Sequence, residues 1–284
     1  HRHRYRKLDE QTLVITGATS GIGLATARRA MKSGARLVLA ARNEEMLRQV
    51  CDEATACGTR AVSVVADVGE EADVERIVDT AVREFGGFDT WINNAGVVVF
   101  SELKDLPTED HQRLFQTNYW GVVYGSHAAV RHFRERPDGG TLINVASINA
   151  EMPVPILGAY SASKAAVKAF SDVLRMELAN EGAPVRLTVI KPSGIATPIS
   201  EHGRTHMGER GKVMPPLYDP ELVAATILNA AQRYVREGRA DMVRALAAQA
   251  DHLSVGGALG MVTSSVRPSE NWIRRVAPAI ASSD

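Results

Sequence analysis

The stretch Thr12-Leu13-Val14-Ile15-Thr16-Gly17-Ala18-Thr19-Ser20-Gly21-Ile22-Gly23 decides the fold. Residues 12–16 form an apolar and β-branched run that does not alternate with polar residues. Such a run reads as a strand buried on both faces, the habit of parallel sheets. Three glycines follow at Gly-x-x-x-Gly-x-Gly spacing, and a helical stretch, residues 24–32, begins at once. Glycines at a strand-to-helix turn let the chain bend tightly and approach a ligand. The helix start adds unpaired N–H groups and the positive end of its dipole, which suits a pyrophosphate. A glycine-rich turn alone is equally just a tight turn. The strand before it and the helix after it give it meaning.

The same rhythm continues along the chain. Strand-like runs lie at residues 36–41, 61–66, 89–93, 141–146 and 185–190, and helical periodicity at 44–56, 72–85, 109–134 and 162–181. Strand–helix alternation builds right-handed crossovers. The expected fold class is α/β, a doubly wound parallel sheet of about seven strands with helices on both faces, Rossmann-like and a single domain. Residues 198–216 read as a long functional loop. Asp219-Pro220 starts a helix with an N-cap and a first-turn proline, running to about residue 237. Residues 241–244 supply the seventh strand. A dinucleotide-binding and catalytic domain is thus expected over residues 8–244, with a C-terminal extension over 245–284 packed on or trailing from it.

Composition narrows the function. The 284 residues carry 33 basic and 33 acidic side chains, so no net charge points to nucleic acid as a partner or to an anionic membrane surface. Cys51 and Cys57, the two cysteines, make no disulfide framework and fit no zinc spacing, which suits a reducing, cytoplasmic setting. His111, His127 and His132 share one helical stretch at spacings that suggest no metal site. The longest apolar runs fall far short of the ~20 residues of a membrane span. The basic residues 1–7 have no apolar run behind them and do not read as a signal peptide.

Further motifs, in order, resemble the short-chain dehydrogenase/reductase family. Asn93-Asn94-Ala95-Gly96 follows the fourth strand, and Asn118 lies on the next helix. Ser147 ends the fifth strand, Tyr160 and Lys164 form Tyr-x-x-x-Lys thirteen residues on, and Pro192 and Thr197 follow the sixth strand. The resemblance runs from about residue 13 to 244. One departure is visible: the family's Pro-Gly pair is here Pro192-Ser193, with Gly194 next.

The resemblance implies an oxidoreductase that moves hydride between a nicotinamide dinucleotide and a carbonyl or secondary alcohol. Gly17, Thr19, Ser20, Gly21, Ile22 and Gly23 would hold the pyrophosphate. Asn94, Ala95, Gly96, Pro192, Ser193, Gly194, Ile195 and Thr197 would line the rest of the cofactor site. Asp67-Val68 reads either as an adenine contact or as a helix cap. Where NAD-preferring relatives carry Asp at the end of the second strand, Ala41 stands, followed by Arg42. A carboxylate there would repel a 2′-phosphate and an arginine would bind it, so the expected cofactor is NADP(H). Tyr160 becomes the general acid/base. Lys164 lowers its pKa and holds the nicotinamide ribose, Ser147 orients the carbonyl, and Asn118 anchors a water in the proton relay.

Two segments should close the substrate side. Residues 152–158 are apolar, while the 198–216 loop carries His202, Arg204, His206, Arg210 and Lys212. The pair suits a hydrophobic ketone, or one with a remote anionic group. Leu114, Phe115, Tyr119, Trp120 and Val123 form an apolar stripe read as sheet-facing core. By resemblance, this helix and the one bearing Tyr160 build subunit contacts, so a homodimer or homotetramer is expected. The alternative to an enzyme is a non-catalytic dinucleotide-binding sensor or scaffold.

Overall fold

The strand over Thr12–Thr16 (β1) is buried along its whole length, as its unbroken apolar run requires. Successive side chains of a strand face opposite ways. Leu13 and Ile15 accordingly enter one core and Val14 another. The computed structural model describes residues 6–208 and 217–233. The expected seventh strand, the C-terminal extension, and Arg210 and Lys212 of the long loop lie outside the described residues.

After β1 come α1 (Gly21–Lys32), β2 (Arg36–Ala41), α2 (Glu44–Ala56), β3 (Ala61–Val65), α3 (Glu71–Phe85), β4 (Thr90–Asn93) and β5 (Val99–Phe100). Then follow α4 (Thr108–Phe115), a π segment (Gln116–Trp120), α5 (Gly121–Arg134), β6 (Gly140–Val145), α6 (Gly158–Asn180) and β7 (Val185–Ile190). A short α7 (Ile199–His202), β8 (Arg204–Thr205) and α8 (Pro220–Gln232) complete the order. Local chemistry sets several ends. The Asn43 side chain accepts the Met46 N–H at 3.0 Å to cap α2, and Asp219 accepts the Glu221 N–H at 2.8 Å to cap α8.

Six strands form one parallel sheet in the order β3-β2-β1-β4-β6-β7. The core with Leu13 and Ile15 includes Met31 of α1, Leu47 of α2 and Ile227 of α8. The core with Val14 includes Ile77 of α3, Phe133 of α5 and Val167 of α6. Both faces of the sheet are therefore covered. The strand order reverses direction between β1 and β4, so their carboxyl ends border the crevice where doubly wound sheets bind ligands.

Three features depart from the sequence reading. The helix expected over 109–134 is split by the π segment, which bears Asn118. The segment itself holds no Gly or Pro, with Gly121 only following it, and hydrophobic periodicity is blind to one extra residue in a turn. The helix expected from residue 162 begins at Gly158, so Tyr160 sits in its first turn. Finally, β5 pairs in parallel with β8, a two-residue ladder too short to show any periodicity.

Candidate active site

The glycine turn is fixed from the neighbouring strand. Gly17 has φ +66°, and a Cβ there would stand 2.8 Å from the Ala95 Cα. A Cβ on Gly23 would fall 2.0 Å from the Gly17 carbonyl oxygen, so only glycine lets α1 start this close to β1. The Asn94 amide donates to the carbonyl oxygens of Thr16 and Gly17, and the Thr16 hydroxyl accepts the Asn94 and Ala95 N–H groups. The segment after β7 closes on the turn: Thr197 lies beside Gly21, and Gly194 and Ala196 pair with Tyr218. Sequence-distant Gly17, Gly21, Asn94, Ala95 and Thr197 thus meet at one place.

The second cluster lies at the end of β6. Ser147 is buried there, and its hydroxyl accepts the Asn149 N–H at 3.2 Å. Tyr160 approaches it from α6, near enough for the Ser147 hydroxyl to act on the phenol. Burial pushes the Tyr160 phenol above its ordinary pKa, and the Ser147 hydroxyl draws it part of the way back. Lys164, one turn along α6, is buried. Its ammonium donates to the Val145 carbonyl at 3.0 Å and lies 5.8 Å from the centre of the Tyr160 ring. Burial brings its pKa down to about 8.

Asn118 is fully buried in the π segment. Its Oδ1 accepts the Val97 N–H at 2.8 Å, while its Nδ2 donates to the Val97 carbonyl and to Ser163 Oγ. Its side chain therefore fixes the chain just past Gly96. A Cβ on Gly96 would stand 3.4 Å from Asn118 Oδ1 and 3.5 Å from Lys164 Nζ, so the glycine keeps the space before both groups open. Interruptions of this kind in a helix are frequent at functional sites.

The far end of the crevice holds Arg42 and Asp67. Arg42 follows β2, is exposed, and makes no hydrogen bond or ion pair among the described residues. Asp67 accepts the Gly69 N–H at 3.0 Å, a turn bond ahead of α3, and pairs with Arg113; Glu70, not Asp67, stands at the N-cap of α3. Val68 is buried beneath Gly121.

Residues 11–208 match the family model described as short chain dehydrogenase. The chain belongs to the short-chain dehydrogenase family. It is 46% identical over 235 residues to the uncharacterized oxidoreductase YxnA of Bacillus subtilis (strain 168). That match covers 82% of this chain and 66% of YxnA, so the chain spans slightly less than two thirds of that relative. Among solved structures it is similar to the 3-ketoacyl-(acyl-carrier-protein) reductase from Brucella melitensis complexed with NADH, with a TM-score of 0.70 and 29% identity over 79% of this chain and 91% of that one. An alcohol dehydrogenase from the archaeon Thermococcus sibiricus, complexed with 5-hydroxy-NADP, has a TM-score of 0.70 and 25% identity over 80% of this chain and 94% of that one.

Against this short-chain dehydrogenase pattern, Ser193 is the departure. Its Oγ is buried with no hydrogen-bond partner among the described residues. Sequence reasoning also missed a clasp on the substrate side. Asp110, in the first turn of α4, pairs with Arg204 and, at 2.8 Å, with His206. Hydrogen bonds from His206, most strongly, and from Arg204 hold the Asp110 carboxyl below its usual range. The basic character expected of the 198–216 loop is, at Arg204 and His206, spent on this buried carboxylate. No spacing in the sequence links position 110 to 204. Ile156 is a second missed feature, with φ +60° between Ser147 and Tyr160. A β-branched residue in the left-handed region is strained, and such strain concentrates at functional sites. Its carbonyl accepts the Ser101 N–H at 2.9 Å, which ties the loop to the chain beyond β5.

Proposed function

We propose that the chain is an NADP(H)-dependent oxidoreductase that interconverts a carbonyl compound and a secondary alcohol, with Tyr160 as general acid/base. The observation that carries the reading is the convergence of Ser147, Tyr160 and the buried Lys164 ammonium with the space left open by Gly96. When bound, the reduced nicotinamide supplies the hydride. Burial keeps the Tyr160 phenol protonated at neutral pH, so it holds a proton ready for the oxygen of a carbonyl. Ser147 donates to the same oxygen and orients it. Lys164 places its positive charge where negative charge develops on the phenol, and its ammonium can also hold a ribose hydroxyl. The Asn118 side chain is bonded to Val97 and Ser163, and its part in anchoring a relay water is what the family resemblance implies.

The residues present fit a dinucleotide. The turn at Gly17, Thr19, Ser20, Gly21, Ile22 and Gly23 opens α1, whose first N–H groups suit a pyrophosphate. The orphaned Ser193 hydroxyl stands in the segment assigned to the nicotinamide. Support for NADP(H) over NAD(H) is the exposed, unpaired Arg42 and the lack of a carboxylate at Ala41. On the substrate side, Leu103, Met152 and Met207 expose apolar surface while Asp110 pairs with Arg204 and His206. An uncharged, apolar carbonyl compound fits this better than an anionic one. Trp120, Val173 and Met176 leave apolar surface exposed on the π segment and α6, which supports a homodimer or homotetramer. Among the described residues no helix is long and apolar enough to cross a membrane.

The test is oxidation of NADPH and NADH over a panel of ketones and aldehydes, with Tyr160→Phe and Arg42→Ala alongside. Tyr160→Phe should lose turnover by about 10²–10⁴-fold, the usual worth of a general acid, while still binding NADPH. Arg42→Ala should raise the Kd for NADPH about tenfold or more and leave that for NADH unchanged. Turnover that survives Tyr160→Phe overturns the mechanism, and equal losses for both cofactors overturn the assignment of NADP(H).

A further inference from the structure

Lys191 is an unusual residue for its place. It follows β7, directly before Pro192, and only 1% of its side chain is exposed. Burying an ammonium is costly, and an apolar side chain of similar volume would fill the same space without that cost. Its Nζ donates to Glu151 Oε1 at 2.7 Å. Glu151 ends the short 3-10 turn Ile148–Ala150, and Ser147 begins that turn as its N-cap. A second tie runs beside the first: the Ile148 N–H donates to the Pro192 carbonyl at 2.8 Å. The turn that starts at Ser147 is therefore held at both ends against residues 191 and 192.

We infer that Lys191 and Glu151 form a positioning pair, which sets the Ser147 turn against the segment that begins at Pro192. Neither residue touches the reacting atoms. The pair acts through Ser147, whose hydroxyl meets Tyr160, and so rests on the catalytic reading given above. An error of about 1 Å at a reacting group can cost on the order of a hundredfold in rate. Backbone bonds from the Ala146 N–H to the Ile190 carbonyl and from the Ile148 N–H to the Pro192 carbonyl hold the start of the turn, and the ion pair holds its far end.

Lys191→Met is the gentler single variant. It removes the buried charge, and the partly exposed Glu151 carboxylate keeps access to water. Three proteins are compared with wild type: Lys191→Met, the double variant Lys191→Met/Glu151→Leu, and Tyr160→Phe. The readouts are the thermal midpoint, the Kd for NADPH by fluorescence, and kcat and KM with cyclohexanone, 2-decalone and the best ketone of the panel. For Lys191→Met we expect kcat about ten- to a hundredfold down, well below its melting temperature, with the Kd for NADPH within about twofold. The double variant removes both charges of the pair and should regain thermal stability relative to Lys191→Met without regaining kcat. A wild-type kcat in Lys191→Met, or recovery of kcat together with stability in the double variant, would mean that the pair only stabilises the fold. Loss of turnover in Tyr160→Phe beside an unaffected Lys191→Met overturns the pair alone. Retained turnover in Tyr160→Phe overturns the catalytic reading beneath it.

Discussion

Asn94 holds Gly17 in place from the neighbouring strand: its Nδ2 donates to the Thr16 carbonyl at 2.9 Å and to the Gly17 carbonyl at 3.3 Å. Asn94 follows β4 and Gly17 follows β1, the two strands between which the sheet reverses its order. One amide thus joins the two sides of the crevice and fixes the turn in a left-handed conformation that only glycine adopts without strain. A change at either residue acts on the same turn by a different route. Asn94→Ala removes hydrogen bonds worth about 1 kcal/mol each, so the thermal midpoint should fall by a few degrees and NADPH should bind more weakly. Gly17→Ala adds backbone strain and a Cβ 2.8 Å from the Ala95 Cα. It should lose NADPH binding altogether. Thermal shift with and without NADPH checks both, and a Gly17→Ala protein that binds NADPH like wild type would show that the turn is not the pyrophosphate site.

Lys164 gives the apoprotein a pH signature. Burial brings its pKa to about 8 from the ordinary 10.5. The unfolded chain therefore keeps this proton up to about pH 10.5, while the folded chain sheds it near pH 8. Between those values the unfolded state binds more protons, so the contribution of Lys164 to stability rises with pH. Below pH 8 both states are charged and the full cost of burial is felt. The window spans 10.5 − 8, or about 2.5 pH units, which at ~1.36 kcal/mol each is about 3 kcal/mol. Lys164→Met also orphans the Val145 carbonyl, but that loss does not vary with pH. The stability of wild type minus that of Lys164→Met should thus shift toward wild type by about 3 kcal/mol between pH 7.5 and 10.5. Denaturant unfolding at a series of pH values measures it. A flat difference would mean that the ammonium is not desolvated in the fold.

What the sequence disclosed, and what it withheld, follows from the range of each interaction. The buried strands were legible because all five residues of β1 are apolar or β-branched, and burial on both faces demands that. The turn at Gly17 was legible because its steric need falls on one residue type. The chain order of Asn94, Asn118 and Lys164 gave no distance, yet the fold brings all three to within 4 Å of a Cβ on Gly96. The link between Asp110 and His206 was not legible, since nearly a hundred residues separate them and each looks like an ordinary surface charge. The π segment was hidden because Gln116–Trp120 carries no helix breaker. The distance from Lys164 to the Tyr160 ring was hidden for a related reason. Spacing on α6 fixes that Lys164 shares its face, but the reach of a lysine and the depth of burial are properties of the packed structure.

Ser193 offers the sharpest separation of fold from function. Its Oγ is buried with no partner among the described residues, and a hydroxyl in that state destabilises the protein that carries it. The family pattern has glycine here, so the hydroxyl is not needed to form the turn. It lies between Pro192 and the Gly194 carbonyl that accepts the Tyr218 N–H at 2.9 Å, in the segment assigned to the nicotinamide end of the cofactor. An amide on a ligand in that place would satisfy the hydroxyl. Ser193→Ala should therefore act in opposite directions on the two states. The apoprotein should melt at the same temperature as wild type or slightly higher. The rise in melting temperature on adding NADPH should shrink, while the rise on adding 2′,5′-ADP, which lacks the nicotinamide, should stay unchanged. A lower melting temperature for the apoprotein would show that the hydroxyl has a partner within the fold. An equal loss for NADPH and 2′,5′-ADP would place its effect at the phosphate end instead.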